Sequence, residues 1–328
     1  MEPLLKVTDL RVSFPGPSGP VHAVNGVGLE LAAGRTLALL GESGSGKSVT
    51  AQAVMGILDV PPARVAGSVT LRGRELLTLS PRDRDRVSGE EIGMVFQDAM
   101  AALNPVFSVG DQITELLRVR RGMSRADARR RAVELLDRVR IPAPANRVKD
   151  YPHQFSGGMR QRVMIALAIA LEPAVLIADE PTTALDVTVQ AQVMELIAEI
   201  QRDSGMGLLL ITHDLGVVAE VADDVAVMYA GRIVERGTVE QIFDGPAHPY
   251  TEGLLASMPR VDRTDEELYA IPGAPPNPAR LPTGCPFHLR CHRVTPECRS
   301  DLPALEPLPA NRASACHHRT EVLHATQR

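Results

Sequence analysis

The chain has 328 residues, 44% hydrophobic and 23% charged, with a formal net charge of −5. That length and composition fit a globular protein of one large or two modest domains with a sizeable core, and the mild acidity excludes a general nucleic-acid binder. There is no Trp and aromatics reach only 3%, which excludes broad stacking surfaces for single strands.

The longest apolar run, 163–171, is about half of what a bilayer crossing needs. The N-terminus is acidic and lacks the basic-then-apolar pattern of a leader, so a soluble cytosolic chain is expected. Residues 4–10, 21–31 and 36–40 read as strands, the last running into a Gly-rich turn. A helix is expected over 48–58, stopped by Pro61-Pro62, followed by strands at 65–72 and 92–96. From 109 to 140 the apolar spacing turns helical, through Ile113, Leu116, Leu117, Ala132, Leu135, Leu136 and Val139. Within it, residues 118–140 hold nine arginines against Asp127, Glu134 and Asp137. They form either a solvated helix face or a surface lying near anionic lipid or an acidic partner. After the Pro-rich 141–146 come a helix to 171, a buried strand at 175–178 and a helix at 187–202 closed by Gly205. A strand at 208–212, a helix at 215–221 and a strand pair at 225–229 and 232–237 complete the series. Alternating strands and helices with continuous apolar strands predict a mainly parallel α/β core, into which the helical block 98–154 is inserted. Composition shifts near residue 245: ten of the 26 prolines fall between Pro272 and Pro309.

Gly41-Glu42-Ser43-Gly44-Ser45-Gly46-Lys47-Ser48 fits the phosphate-loop pattern, after an apolar strand and before a helix whose first turn includes Val49. Glycines let successive amides converge on phosphate oxygens, and the helix N-terminus adds partial positive charge. Lys47 is suited to the β- and γ-phosphates and Ser48 to Mg²⁺. It is one of three lysines in the chain, where an arginine fork does not replace a compact ammonium. The strand at 175–178 ends in Asp179 and Glu180. It is expected beside the phosphate-loop strand, with Asp179 holding Mg²⁺ through water and Glu180 polarising the attacking water.

Ser156-Gly157-Gly158-Met159-Arg160-Gln161-Arg162 opens a helix upstream of Asp179. Here the sequence resembles ATP-binding cassette (ABC) proteins, whose signature begins Ser-Gly-Gly; Met159 stands where Gln is usual. The resemblance implies that Ser156, Gly157, Gly158, Met159 and Gln161 close over the nucleotide of a second, facing subunit. It implies that Phe14 stacks on adenine, that Gln97 contacts Mg²⁺ and couples the site to the helical block, that Thr183-Ala184-Leu185-Asp186 is the D-loop, with Asp186 crossing to the partner, and that His213 contacts the γ-phosphate. In this reading Glu180, His213 and Gln97 are catalytic. Gly41, Ser43, Gly44, Ser45, Gly46, Lys47, Ser48 and Val49 bind ATP, and Ser48, Gln97 and Asp179 bind Mg²⁺.

Three further stretches are similar to oligopeptide, dipeptide and nickel importer ATPases. These are Phe96–Pro105, with small departures at 99 and 101–102; His248-Pro249-Tyr250-Thr251; and the tail cysteines Cys285, Cys291, Cys298 and Cys316. The spacing C-x5-C-x6-C-x17-C does not choose a metal: four thiolates suit Zn²⁺ or a [4Fe–4S] cluster. Zinc with His288, His292, His317 or His318 as substitutes, disulfides and spare thiols are the alternatives; the family resemblance implies [4Fe–4S]. A structural staple is the expected role, with ATP binding expected to survive loss of the tail.

The expected architecture is thus an α/β P-loop NTPase of the ABC type over 1–240, with a helical subdomain at 98–154. An irregular, metal-binding extension follows over 241–328. The implied function is an ATPase subunit at the cytoplasmic face of the membrane, energising peptide import. The implied partners are a second ATPase subunit, two transmembrane permeases and, indirectly, an extracytoplasmic solute-binding protein, with no nucleic acid. A non-transport ABC ATPase, or import of another solute such as nickel, is the alternative.

Overall fold

A computed structural model describes residues 2–17, 19–183, 185–258 and 269–326. In chain order the strands are β1 (Leu5–Phe14), β2 (Val21–Leu31), β3 (Thr36–Leu40), β4 (Arg64–Leu71), β5 (Arg74–Glu75), β6 (Ile92–Val95), β7 (Val175–Asp179), β8 (Gly207–Thr212), β9 (Asp224–Tyr229), β10 (Arg232–Thr238), β11 (Glu306–Leu308) and β12 (Arg312–Ser314). The chain divides into two compact units, one mainly 78–211, the other 5–30, 36–77 and the described residues from 212 on.

In the first unit β7 pairs in parallel with β6 on one edge and β8 on the other. The expected neighbour, β3, is therefore not a partner of the strand carrying Asp179. Every residue of β6, β7 and β8 is buried, which is why these segments are unbroken apolar runs rather than alternating ones. The helical stretch read over 109–140 is two helices, Val109–Arg121 and Arg125–Arg138. Gly122, at φ 65°, ends the first, and Ser124 caps the second by accepting from the Asp127 amide. Four of the nine arginines of this block are paired with carboxylates within the unit. Arg120 meets Asp85 at 3.0 Å, Arg131 meets Glu172 at 2.9 Å, and Arg140 spans Glu195 and Glu199 at 3.3 and 2.5 Å. This favours the solvated face over the lipid-facing surface. The helix Pro81–Glu90 escaped the sequence pattern because only Val87 in it is buried.

The second unit is not mainly parallel. One sheet has the order β2-β1-β4-β5, with β1 and β4 antiparallel across a register shift between Thr8 and Arg11. Its other strands run β11-β12-β10-β9-β3, with only β3 and β9 parallel. Ala230 and Gly231, at φ 47° and 80°, make the two-residue turn that reverses the chain between β9 and β10. The C-terminal extension joins this sheet: Ser314 and Ala313 of β12 pair with Glu235 and Arg236 of β10. Beneath the junction Glu235, fully buried, accepts from Arg312 and from the Ala247 amide.

His248 caps the helix Pro249–Ala256, its Nδ1 accepting from the Tyr250 amide at 3.0 Å. Burial pushes its pKa down to about 3. The imidazole is therefore neutral when folded, whereas in the unfolded chain it protonates near pH 6.5. Its contribution is complete above that pH and is lost as the pH falls towards the folded value. Between pH 6.5 and 5 the expected loss is about 2 kcal/mol. Urea unfolding at both pH values should show it, and His248→Asn, which keeps a capping acceptor but does not titrate, should flatten the slope. Equal slopes in the two proteins would refute the assignment.

Candidate functional site

The phosphate loop leaves the fully buried strand β3 and enters the helix Lys47–Met55. At Gly41 a Cβ would stand 2.2 Å from the Met228 carbonyl oxygen, and at Gly46, φ 105°, 2.3 Å from that of Ala23. The loop is thus pressed against backbone on two sides, and only glycine fits there. Gly46 offers no side-chain cap, and a helix N-terminus carries partial positive charge that favours an anion. Lys47 is buried, with Nζ 2.7 Å from the Gly41 carbonyl oxygen and 3.0 Å from that of Glu42. The Ser45 hydroxyl is buried without a partner among the described residues. A cation folded back on its own loop, a hydroxyl lacking a partner and the positive end of a helix fit a polyphosphate. Ser43 and Gly44 are exposed, and Ser48 and Val49 half-buried.

Beside the loop lies a hollow lined by His22, Tyr229, Pro275, Pro276 and Pro278 together with residues 42–45. Phe14, half-buried at the end of β1, is not among its lining residues. The prolines and His22 were missed by the sequence reading, because no local motif marks a residue that approaches the loop from far along the chain. His213, exposed after β8, precedes Asp214, which caps the helix Leu215–Val221.

In the other unit Asp179 is the buried last residue of β7. Glu180 follows at φ 46°, an uncommon conformation for a residue with a side chain. Its amide donates to the Ile211 carbonyl at 2.8 Å. Its Oε2 accepts from Gln97 Nε2 at 2.9 Å and from the Thr183 hydroxyl at 3.0 Å. Gln97 and Glu180 lie 83 residues apart, and the parallel pairing of β6 with β7 brings them together. Ser156, exposed, caps the helix Gly157–Ile169, and a Cβ on Gly158 would fall 2.5 Å from Val189 Cγ1. Asp186 caps the helix Val187–Ser204 by accepting from the Val189 amide. The start of the signature helix therefore packs against the segment that follows Asp186; Ala184 lies outside the described residues. Met159 is half-buried. Gln161, grouped with the signature by sequence, is 4% exposed and faces the interior.

Cys285, Cys291, Cys298 and Cys316 are all free thiols lining one small, largely apolar cavity with His248, His288, His317 and His318. The disulfide alternative is thus not found. The Arg293 amide donates to Cys291 Sγ at 3.4 Å and the His318 amide to Cys316 Sγ at 3.3 Å. Burial pushes the Cys285 thiol up to about 11 and Cys316 to about 12, and raises Cys291 as well. A metal bound here would displace those protons. His292 instead pairs with Glu252 at 3.5 Å. Among the described residues no three metal-binding side chains are grouped to hold an ion.

Residues 24–183 match the ABC transporter family, and residues 234–298 match the C-terminal region of oligopeptide/dipeptide transporters. The oligopeptide transport ATP-binding protein OppD of Salmonella typhimurium is 51% identical, across 98% of this chain and 95% of its own. OppD of Bacillus subtilis is 55% identical, across 88% and 81% respectively. The chain belongs to the ABC transporter ATPases of the oligopeptide/dipeptide branch. Similar solved structures include a dimeric, post-hydrolysis state of the ATP-binding cassette MJ0796 bound to ADP and Pi. This ABC ATPase matches it with a TM-score of 0.64 at 25% identity, over 72% of the chain and 98% of that structure. It also matches cbiO1 from Clostridium perfringens, part of the transporter complex cbiONQ, with a TM-score of 0.63 at 30% identity, over 74% and 91%. It is an ATP-binding and ATP-hydrolysing subunit. Among its described residues no helix is long and apolar enough to cross a membrane.

Proposed function

We propose that this ATPase energises the import of peptides, as a peripheral subunit at the cytoplasmic face of a membrane importer. The observation that carries the reading is a cassette match and an oligopeptide/dipeptide C-terminal match in one chain. Residues 1–240 form the cassette, with 98–154 as its helical subdomain, and 241–328 the extension. Gly41, Ser43, Gly44, Ser45, Gly46, Lys47, Ser48 and Val49 bind ATP, Lys47 at the phosphates, and Phe14 stacks on the base. When bound, Mg²⁺ supplies positive charge to the phosphate oxygens, with Ser48, Gln97 and Asp179 as the residues that hold it. Glu180 takes the proton from the attacking water. Its bonds to Gln97 and Thr183 hold the carboxylate in a fixed orientation. His213 steadies the γ-phosphate. Ser156, Gly157, Gly158 and Met159 act on the ATP of a second subunit, towards which Asp186 crosses.

Phe96, Met100, Val106 and Phe107 are exposed apolar side chains within twelve residues of chain, Val106 at 70% exposure. They suit contact with loops of two membrane permeases, which an extracytoplasmic solute-binding protein would supply. For the cysteines, the family resemblance points to a [4Fe–4S] cluster, with Zn²⁺ as the alternative; the four thiols line one cavity. A cubane spreads its thiolates over four separate irons, and amide donors to sulfur suit it.

Co-purification with two permeases, and ATP-dependent peptide uptake by the reconstituted complex, should both be seen. Uptake of nickel but not peptide would make this the importer of another solute. A soluble complex without permeases would favour a non-transport ATPase. Iron and zinc content with an anaerobic UV-visible spectrum tests the cluster.

A further inference from the structure

Glu42 is the second residue of the phosphate loop, and its polar groups are tied to the loop itself, through Lys47 and the Ser45 amide, and to the C-terminal extension. Its carbonyl accepts from Lys47. Its amide donates to the hydroxyl of Tyr250, a fully buried residue, at 2.9 Å. Its carboxylate receives both terminal nitrogens of Arg290, at 2.6 and 3.0 Å. The Arg290 side chain is only 5% exposed. Its Nε donates to the Pro272 carbonyl at 2.9 Å, Nη1 also reaches the Tyr229 hydroxyl at 3.4 Å, and the guanidinium lies over the Tyr229 and Phe287 rings. Arg290 immediately precedes Cys291, so the segment that carries the cysteines also carries this grip on the loop.

We propose that Arg290 is a positioning residue of the ATP site: by sequestering the Glu42 carboxylate, it lets the C-terminal extension set the affinity of the phosphate loop for ATP. The physical reason has two parts. A bidentate, charge-assisted pair fixes both partners in angle as well as distance, so the loop is held where Lys47 and the helix amides converge. A carboxylate released from that pair would also stand as an unbalanced negative charge beside the phosphates. The proposal rests on the loop being the nucleotide site. It goes beyond that role by making nucleotide affinity depend on an arginine of the C-terminal extension.

The test uses the full-length chain and a fluorescent ATP analogue. Arg290→Gln should weaken binding about tenfold, more at low salt than at high salt, with the loss falling on Kd rather than on turnover at saturation. Arg290→Lys, a single cation without the fork, should lie between. Arg290→Gln combined with Glu42→Gln should restore affinity to within about threefold of the parent, because the stranded carboxylate is gone. Lys47→Ala separates the two readings: if it leaves binding unchanged, the loop is not the nucleotide site and that role fails first. Parental affinity in Arg290→Gln would overturn the proposal. So would a double variant as weak as the single one, the result expected if Arg290 merely held the extension together.

Discussion

Glu180→Gln should lower ATP turnover by about 10²- to 10⁴-fold, the range over which a positioned general base contributes, while ATP still binds. The substitution is nearly isosteric. The backbone at Glu180 is held at φ 46° by the bond from its amide to Ile211, which no side-chain change disturbs. Gln97 and Thr183 can still donate to the remaining carbonyl oxygen at this position. What disappears is the basicity of the carboxylate, since an amide does not accept a proton from water. Phosphate release at saturating ATP measures the loss. ATP-dependent dimerisation on a sizing column should persist or strengthen, because ATP that is not cleaved keeps the subunits closed. Turnover within about threefold of the parent would remove Glu180 as the base.

Gly46→Ala should abolish nucleotide binding by a different route, weakening it by about a hundredfold or more. At φ 105° an alanine is strained before any contact is considered, and its Cβ would sit 2.3 Å from a backbone oxygen, that of Ala23. That oxygen belongs to β2 and cannot give way as the end of a side chain could. Strain of this kind costs about 1–3 kcal/mol. A loop that shifts to relieve it also loses charge-assisted bonds to phosphate of about 1.5–3 kcal/mol each, and about 1.4 kcal/mol is tenfold in affinity. The same ATP analogue titration reads the effect, with circular dichroism confirming the fold. Parental affinity would mean that the loop does not hold the phosphates in the geometry described.

The phosphate loop and the acidic end of β7 were legible because each is local: a few consecutive residues, between a strand and a helix, state the whole arrangement. Family resemblance gave Gln97 a role at Mg²⁺ but not its bond to Glu180, since a lone glutamine at a strand end carries no signal. The antiparallel half of the second unit was hidden for a related reason. Ala230-Gly231 makes the sharp reversal between β9 and β10 without the Asn-Gly or Asp-Gly pair that advertises one. The extension was the hardest part. The pairing of β12 with β10 and the grip of Arg290 on Glu42, 248 residues apart in sequence, leave no trace in periodicity. Arg290 is one arginine among many until the fold places it. The separation expected between tail and ATP loop is bridged by that pair and by Tyr250.

The scarcity of aromatic residues acquires a use at that bridge. The chain has four tyrosines and no Trp, and two of the four, Tyr229 and Tyr250, stand with ring centroids 4.6 Å apart and Phe287 edge-on to the first. Each places its hydroxyl on a polar contact of the loop junction, with Arg290 or with the Glu42 amide. Rings held at fixed angles in a chiral setting dominate near-ultraviolet dichroism, and no indole is present to mask them. The junction therefore comes with its own optical label, by which docking of the extension on the nucleotide loop can be followed in unmodified protein.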